Sequence, residues 1–154
     1  MSPDTVALVE SPAQLLHVLE WCHAEDAAAQ TRVVVLAPTD PATVDQLWAM
    51  AEYALEEEIE LEWHAPRLSA AAGLRALAQV RRSVATARRL VVGDPFSGLI
   101  QALLPFARRV RDVVVVDDGT ATMEFASQLA HREPLTRWHG GGGPLRAPLA
   151  QFAR

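Results

Sequence analysis

Four short runs of mostly β-branched residues punctuate the chain: TVALVE at residues 5–10, TRVVVLA at 31–37, LVVG at 90–93 and VVVV at 113–116. Runs this apolar make strands covered on both faces. That is how strands of a parallel sheet read, whereas a half-wetted antiparallel sheet alternates. A fifth run, IELEWH at 59–64, does alternate apolar and polar residues, which suits a shorter edge strand. Between the runs lie longer stretches with helical spacing and recognisable starts. Ser11-Pro12 and Asp40-Pro41 each place a capping side chain before a proline at the first helical position. Ser69 caps a third stretch, Phe96 or Ser97 opens a fourth, and Thr120 opens a fifth.

The expected helices cover residues 12–25, 41–57, 70–88, 97–108 and 120–132, with Pro105 kinking or ending the fourth. Their apolar faces include Leu15, Leu16, Val18 and Leu19 in the first, and Val44, Leu47, Met50, Ala51 and Leu55 in the second. Trp21, Trp48 and Trp63 read as core or core-edge residues. The arginines at 75, 81, 82, 88 and 89 read as a solvated helix face with favourable charge at its C-terminus.

Strands alternating with helices build a parallel sheet with helices on both faces. Right-handed crossovers leave few topologies. The expected fold is therefore α/β: a three-layer Rossmann-like domain with a five-stranded parallel sheet in the order 3-2-1-4-5. It should occupy residues 1–133 of the 154. Residues 134–154, with four consecutive glycines and no helix or strand period, read as a linker or tail. Trp138 in that stretch could anchor an interface. A chain that packs five such units and then enters a glycine run looks cut before a second domain.

Composition narrows the partners. The net charge is −5 and the basic residues are spread along the sequence, which argues against nucleic acid. Cys22 is the single cysteine, so no internal disulfide forms and a reducing cytoplasm is expected. No apolar run approaches the ~20 residues of a membrane span, and the N-terminus shows no signal-peptide pattern.

In a sheet of this order, ligands bind beyond the carboxyl ends of the strands, where strand order reverses. The first strand ends at Glu10-Ser11-Pro12, the fourth at Gly93-Asp94-Pro95 and the fifth at Asp117-Asp118-Gly119. All three ends should share one rim. Gly119 permits a tight turn and Thr120 caps the next helix. Adjacent carboxylates repel when both are ionised, so the Asp117-Asp118 pair costs stability and invites a functional explanation beyond capping. Gly98 would let a ligand approach the fourth helix. The glycine-rich cradles of dinucleotide and triphosphate sites are absent, as is a nucleophile elbow. The histidines at 17, 23, 64, 131 and 139 show no metal-ligand spacing with Cys22.

Three stretches together resemble the amino-terminal half of bacterial sialyltransferases of the lipooligosaccharide and capsule polysialyltransferase kind: ALVESPAQLLHVLE (7–20), LVVGDPFSGLIQALLP (90–105) and VVVVDDGTATMEF (113–125). The resemblance covers about residues 5–130. It implies one half of a glycosyltransferase of the two-Rossmann-domain (GT-B) type, moving sialic acid from its CMP conjugate to a glycan hydroxyl with inversion. On that resemblance Asp117 would be the catalytic base, with Asp118 orienting the motif or binding the acceptor. Ser11, Gln14, Asp94, Ser97, Gly119 and Thr120 would line the acceptor side. The family's His-Pro motif, which holds the donor CMP, is missing: His131 precedes Arg132 and His139 precedes Gly140. No cofactor is therefore expected on this chain, and CMP-sialic acid would need a C-terminal donor-binding domain. The implied partners are a glycan acceptor and that domain, with peripheral membrane association of the full-length enzyme. Two other readings stand beside it: a stand-alone binding or homo-oligomerisation module, and a small nucleotide-binding domain disfavoured by its acidic rim.

Overall fold

In the computed structural model, residues 3–116 are described together with Ser127, Ala130 and His131. The Asp117-Asp118-Gly119-Thr120 motif, nearly all of the expected fifth helix and the 134–154 stretch lie outside the described residues.

The sheet is five-stranded, all parallel, and ordered 3-2-1-4-5 as the alternation predicts. Its strands are β1 (Thr5–Val9), β2 (Thr31–Leu36), β3 (Glu60–His64), β4 (Arg89–Val92) and β5 (Asp112–Val115). The helices are α1 (Pro12–Ala24), α2 (Pro41–Glu56), α3 (Ala70–Thr86) and α4 (Gly98–Leu103). Strand side chains alternate between two cores. On one face Ala7, Val9, Val33 and Val35 meet Leu15 and Val18 of α1 and Leu47 and Ala54 of α2. On the other Val6, Leu8, Leu90 and Val92 meet Val80 and Val84 of α3 and Ile100 and Leu103 of α4. Every residue of β1 is buried, because strands and helices cover it on all sides.

Helix starts follow the sequence signals. The Ser11, Asp40 and Ser69 side chains accept from the N–H groups of Gln14, Thr43 and Ala72, satisfying donors that have no partner inside the helix. Two hydrogen bonds from Thr43, one from its hydroxyl at 2.6 Å and one from its N–H at 2.9 Å, hold the Asp40 carboxyl below its ordinary pKa. Cys22 is buried against the α1–α2 core, and desolvation raises its thiol pKa against a smaller opposing hydrogen bond from Thr31.

Three helix details differ from the sequence reading. α3 stops at Thr86, because Ala87 turns to extended backbone and both the Arg88 and Arg89 amides donate to Asp4 O, at 2.8 and 3.2 Å. Those two arginines are thus not part of the helix; Arg89 opens β4. α4 is short, and its continuation is a 3₁₀ turn, Leu104–Phe106, built on Pro105. Trp48 is 53% exposed on α2, so it is not a core residue; it stacks on Trp63 of β3 with ring centroids 4.1 Å apart.

The alternating edge strand carries a polar chain on its α3 side. Arg32 bonds Glu60 and Ser83, Ser83 donates to Glu62, and Glu62 meets His64 at 2.6 Å. No helix among the described residues is long and apolar enough to cross a membrane.

Candidate functional site

β1 and β4 are neighbours in the sheet, and their connections leave in opposite directions, to α1 on one face and α4 on the other. The loops after β1 and β4 therefore flank the reversal point of the sheet. Ser11 caps α1, its Oγ accepting from Gln14 N at 3.3 Å. Gln14 is buried and turns back toward the sheet, where its Oε1 accepts the Glu10 N–H at 2.8 Å. Its side chain lies directly over Gly93: a Cβ on that glycine would sit 2.3 Å from Gln14 Cδ. This close approach requires glycine. The crevice floor between β1 and β4 is thus the Gln14 side chain, whose amide NH₂ is its remaining donor.

On the β4 side, Asp94 Oδ1 accepts the Phe96 N–H at 2.8 Å, and Asp94 O accepts the Ser97 N–H at 3.2 Å. Asp94 therefore organises its own turn. Ser97 stands at the start of α4, as expected, but it is 5% exposed and its hydroxyl makes no capping bond to the helix. Gly98 is exposed, with open space where a Cβ would lie. On the far side, Val116 N–H donates to Val92 O at 2.9 Å, so the chain leaves β5 beside the end of β4. The fold thus brings Ser11, Gln14 and Asp94 to one edge, with Ser97 buried beneath it. Asp117, Asp118, Gly119 and Thr120 are outside the described residues.

One rim residue, Arg67, was not singled out by sequence reasoning. Glu10 forms an ion pair with Arg67, from the loop between β3 and α3, and Arg67 Nη1 also donates to Leu36 O at 3.1 Å. Arg67 thereby ties together the carboxyl ends of β1 and β2. The only sequence signal was a lone arginine in a post-strand loop. Among the described residues, no group of three or more His, Cys, Asp or Glu side chains could hold a metal ion.

The strand order and the helices on both faces define a Rossmann-like α/β domain. Comparison with protein-family models, with curated proteins and with solved structures returns no match.

Proposed function

We propose that this chain is the acceptor-side domain of a sugar-transferring enzyme of the sialyltransferase-like, two-domain type, with transfer requiring a donor-binding half. The observation that supports it best is the strand order 3-2-1-4-5, which sets the loops after β1 and β4 side by side and directs the chain leaving β5 toward the same edge. Sugar hydroxyls are bound by amides and carboxylates that accept and donate in fixed directions, and Ser11, Gln14 and Asp94 supply such groups here. In this reading Asp117, following Val116 in sequence, takes the proton of the acceptor hydroxyl as its oxygen bonds the donor sugar and the donor's bond to its CMP leaving group breaks, and Asp118 orients the motif or binds the acceptor.

Saturation-transfer NMR of the 154-residue chain with lactose and with CMP tests the reading. Lactose should show saturation transfer that Asp117→Asn and Asp118→Asn reduce at unchanged Tm, and CMP should show none. Transfer to CMP without transfer to lactose would refute the assignment.

A second reading has its own observation. Tyr53 of α2 is 61% accessible and Leu16 of α1 is 42% accessible, both lining an apolar groove that includes Leu19 and Met50. A stand-alone association module would use that face. Sedimentation velocity separates the two: a discrete homo-oligomer lost in Tyr53→Lys with no glycan binding would favour association.

A further inference from the structure

The amino-terminal edge of the sheet, opposite the candidate rim, carries a charge excess that neither fold nor composition requires. A hollow of about 460 Å³ is lined by Thr86, Arg88, Arg108, Arg109, Val110 and Arg111. A second hollow of about 270 Å³ shares Arg88 and Arg111 with it and adds Arg89, so the two form one trough. Two backbone segments build it, the turn after α3 and the loop between α4 and β5. The Arg111 N–H donates to Arg88 O at 2.8 Å and fixes them side by side.

The protein has 14 basic and 19 acidic residues, all the basic ones arginine. Yet among the described residues only two carboxylates, Asp4 and Asp112, line the trough. Their contacts are long: Arg88 Nε to Asp4 Oδ1 is 4.0 Å and Arg89 Nη2 to Asp112 Oδ2 is 3.6 Å. Arg108, Arg109 and Arg111 make no ion pair among the described residues. The basic residues that look scattered in sequence are therefore gathered in space.

The bland explanation is helix-dipole complementarity, since arginine is favoured beside a helix C-terminus. It reaches Arg88, two residues past α3, and Arg108, two residues past the turn that ends α4, but not Arg111, which stands immediately before β5. Unpaired guanidiniums crowded at one site repel, and a ligand with several negative charges removes that penalty. Guanidinium forks match phosphate oxygens two at a time. A single carboxylate would occupy one fork and leave the others unmatched. The larger hollow has the volume of an ordinary small-ligand site.

We infer that this trough binds a polyphosphate-bearing ligand, either a soluble polyphosphorylated metabolite or a polyphosphorylated lipid headgroup. The inference does not depend on the sugar-transfer reading, which concerns the other edge of the sheet.

The test is calorimetric titration of the 154-residue chain with inorganic tripolyphosphate at low salt. Saturable one-to-one binding is expected, much weaker for orthophosphate. Arg109→Gln/Arg111→Gln should lower the affinity at least tenfold. Arg75→Gln/Arg82→Gln, which removes two exposed α3 charges that do not line the trough, should lower it less than threefold. Co-sedimentation with phosphatidylcholine vesicles containing phosphatidylinositol bisphosphate, competed by tripolyphosphate, would identify the lipid source. Binding to tripolyphosphate without vesicle binding would identify the soluble one. No saturable heat, or equal losses in both double variants, would overturn the site. So would tighter binding to a single-stranded oligonucleotide that tripolyphosphate fails to displace.

Discussion

Replacing Gly93 with alanine probes the closest packing at the rim. The new Cβ would lie 2.3, 2.4 and 2.5 Å from Gln14 Cδ, Cγ and Oε1, inside any permitted contact. Gln14 must then leave its rotamer, and its hydrogen bond to Glu10 N–H goes with it. That bond is part-buried, so losing it costs about 1–2 kcal/mol. Overpacking a filled site adds about 1–3 kcal/mol. Gly93→Ala should therefore destabilise by about 2–4 kcal/mol, and Tm should fall by about 5–10 °C for a chain of this length. Gln14→Ala alone loses the hydrogen bond but leaves Gly93 unopposed, at about 1–2 kcal/mol. In the double variant the obstacle is gone, so alanine at 93 adds little. Its total should match Gln14→Ala, giving an interaction energy of about 2–4 kcal/mol in the stabilising sense. Urea unfolding followed by tryptophan fluorescence and far-ultraviolet circular dichroism measures all four corners. Strict additivity of the two single effects would refute the packing argument and with it the claim that Gln14 floors the crevice.

Leu90→Ala in β4, a fully buried position between α3 and α4, should cost about 2–5 kcal/mol by urea unfolding. Ser69→Ala should cost about 1 kcal/mol through loss of the cap on α3, and Ser69→Asp should restore most of it. Asp40 is held below its ordinary pKa, so its contribution is present above an ordinary aspartate pKa of about 4 and is lost as pH falls through its lower folded value. The stability difference between wild type and Asp40→Asn should accordingly be positive at pH 6 and shrink toward zero near pH 3, and a difference that grew on acidification would contradict the hydrogen-bond assignment. Cys22, buried with a raised pKa, should react with iodoacetamide far more slowly than free cysteine at pH 8 and reach the same rate in urea.

The sheet order was legible through the strand–helix alternation and the commonest doubly-wound arrangement; alternation marked β3 as an edge, but the apolar run of β5 hid that it is the other edge, where its valines are only half-buried. Caps with a proline behind them located α1 and α2 to within a residue. Helix ends were less legible. Arg88 favours a helix more than Thr86 does, so what stops α3 between them is tertiary: Asp4 O captures two amides that a longer helix would have used internally. Trp48 misled for a related reason. Its side chain finds a partner in Trp63 across the α2–β3 contact, and stacking on an exposed surface satisfies an aromatic ring without burial. At the rim, Ser11, Gln14 and Asp94 were nameable from their places after strands. Their partnering was not, since Gln14 lying on Gly93 and Arg67 meeting Glu10 join residues 79 and 57 positions apart.

The two edges of the sheet acquire opposite polarity from the fold itself. Every strand–helix crossover starts its helix at the carboxyl edge and ends it at the amino edge, so helix N-termini gather at one edge and C-termini at the other. Carboxylates are stabilised at the first, and Asp40 capping α2 shows the rule at work. Cations are stabilised at the second, which accounts for Arg88 beyond α3. Dipoles of this kind contribute about 0.3–1 kcal/mol per exposed charge and fade within a turn. They reach Arg108, just after the 3₁₀ turn that ends α4, but fade before Arg111 at the start of β5. Exposed guanidiniums left over after the helix ends are satisfied are screened by salt but not neutralised. The charge beyond what helix ends call for therefore lies mainly in the α4–β5 loop, and substituting Arg109 and Arg111 there should weaken polyphosphate binding at least tenfold while leaving the sheet and its carboxyl rim intact.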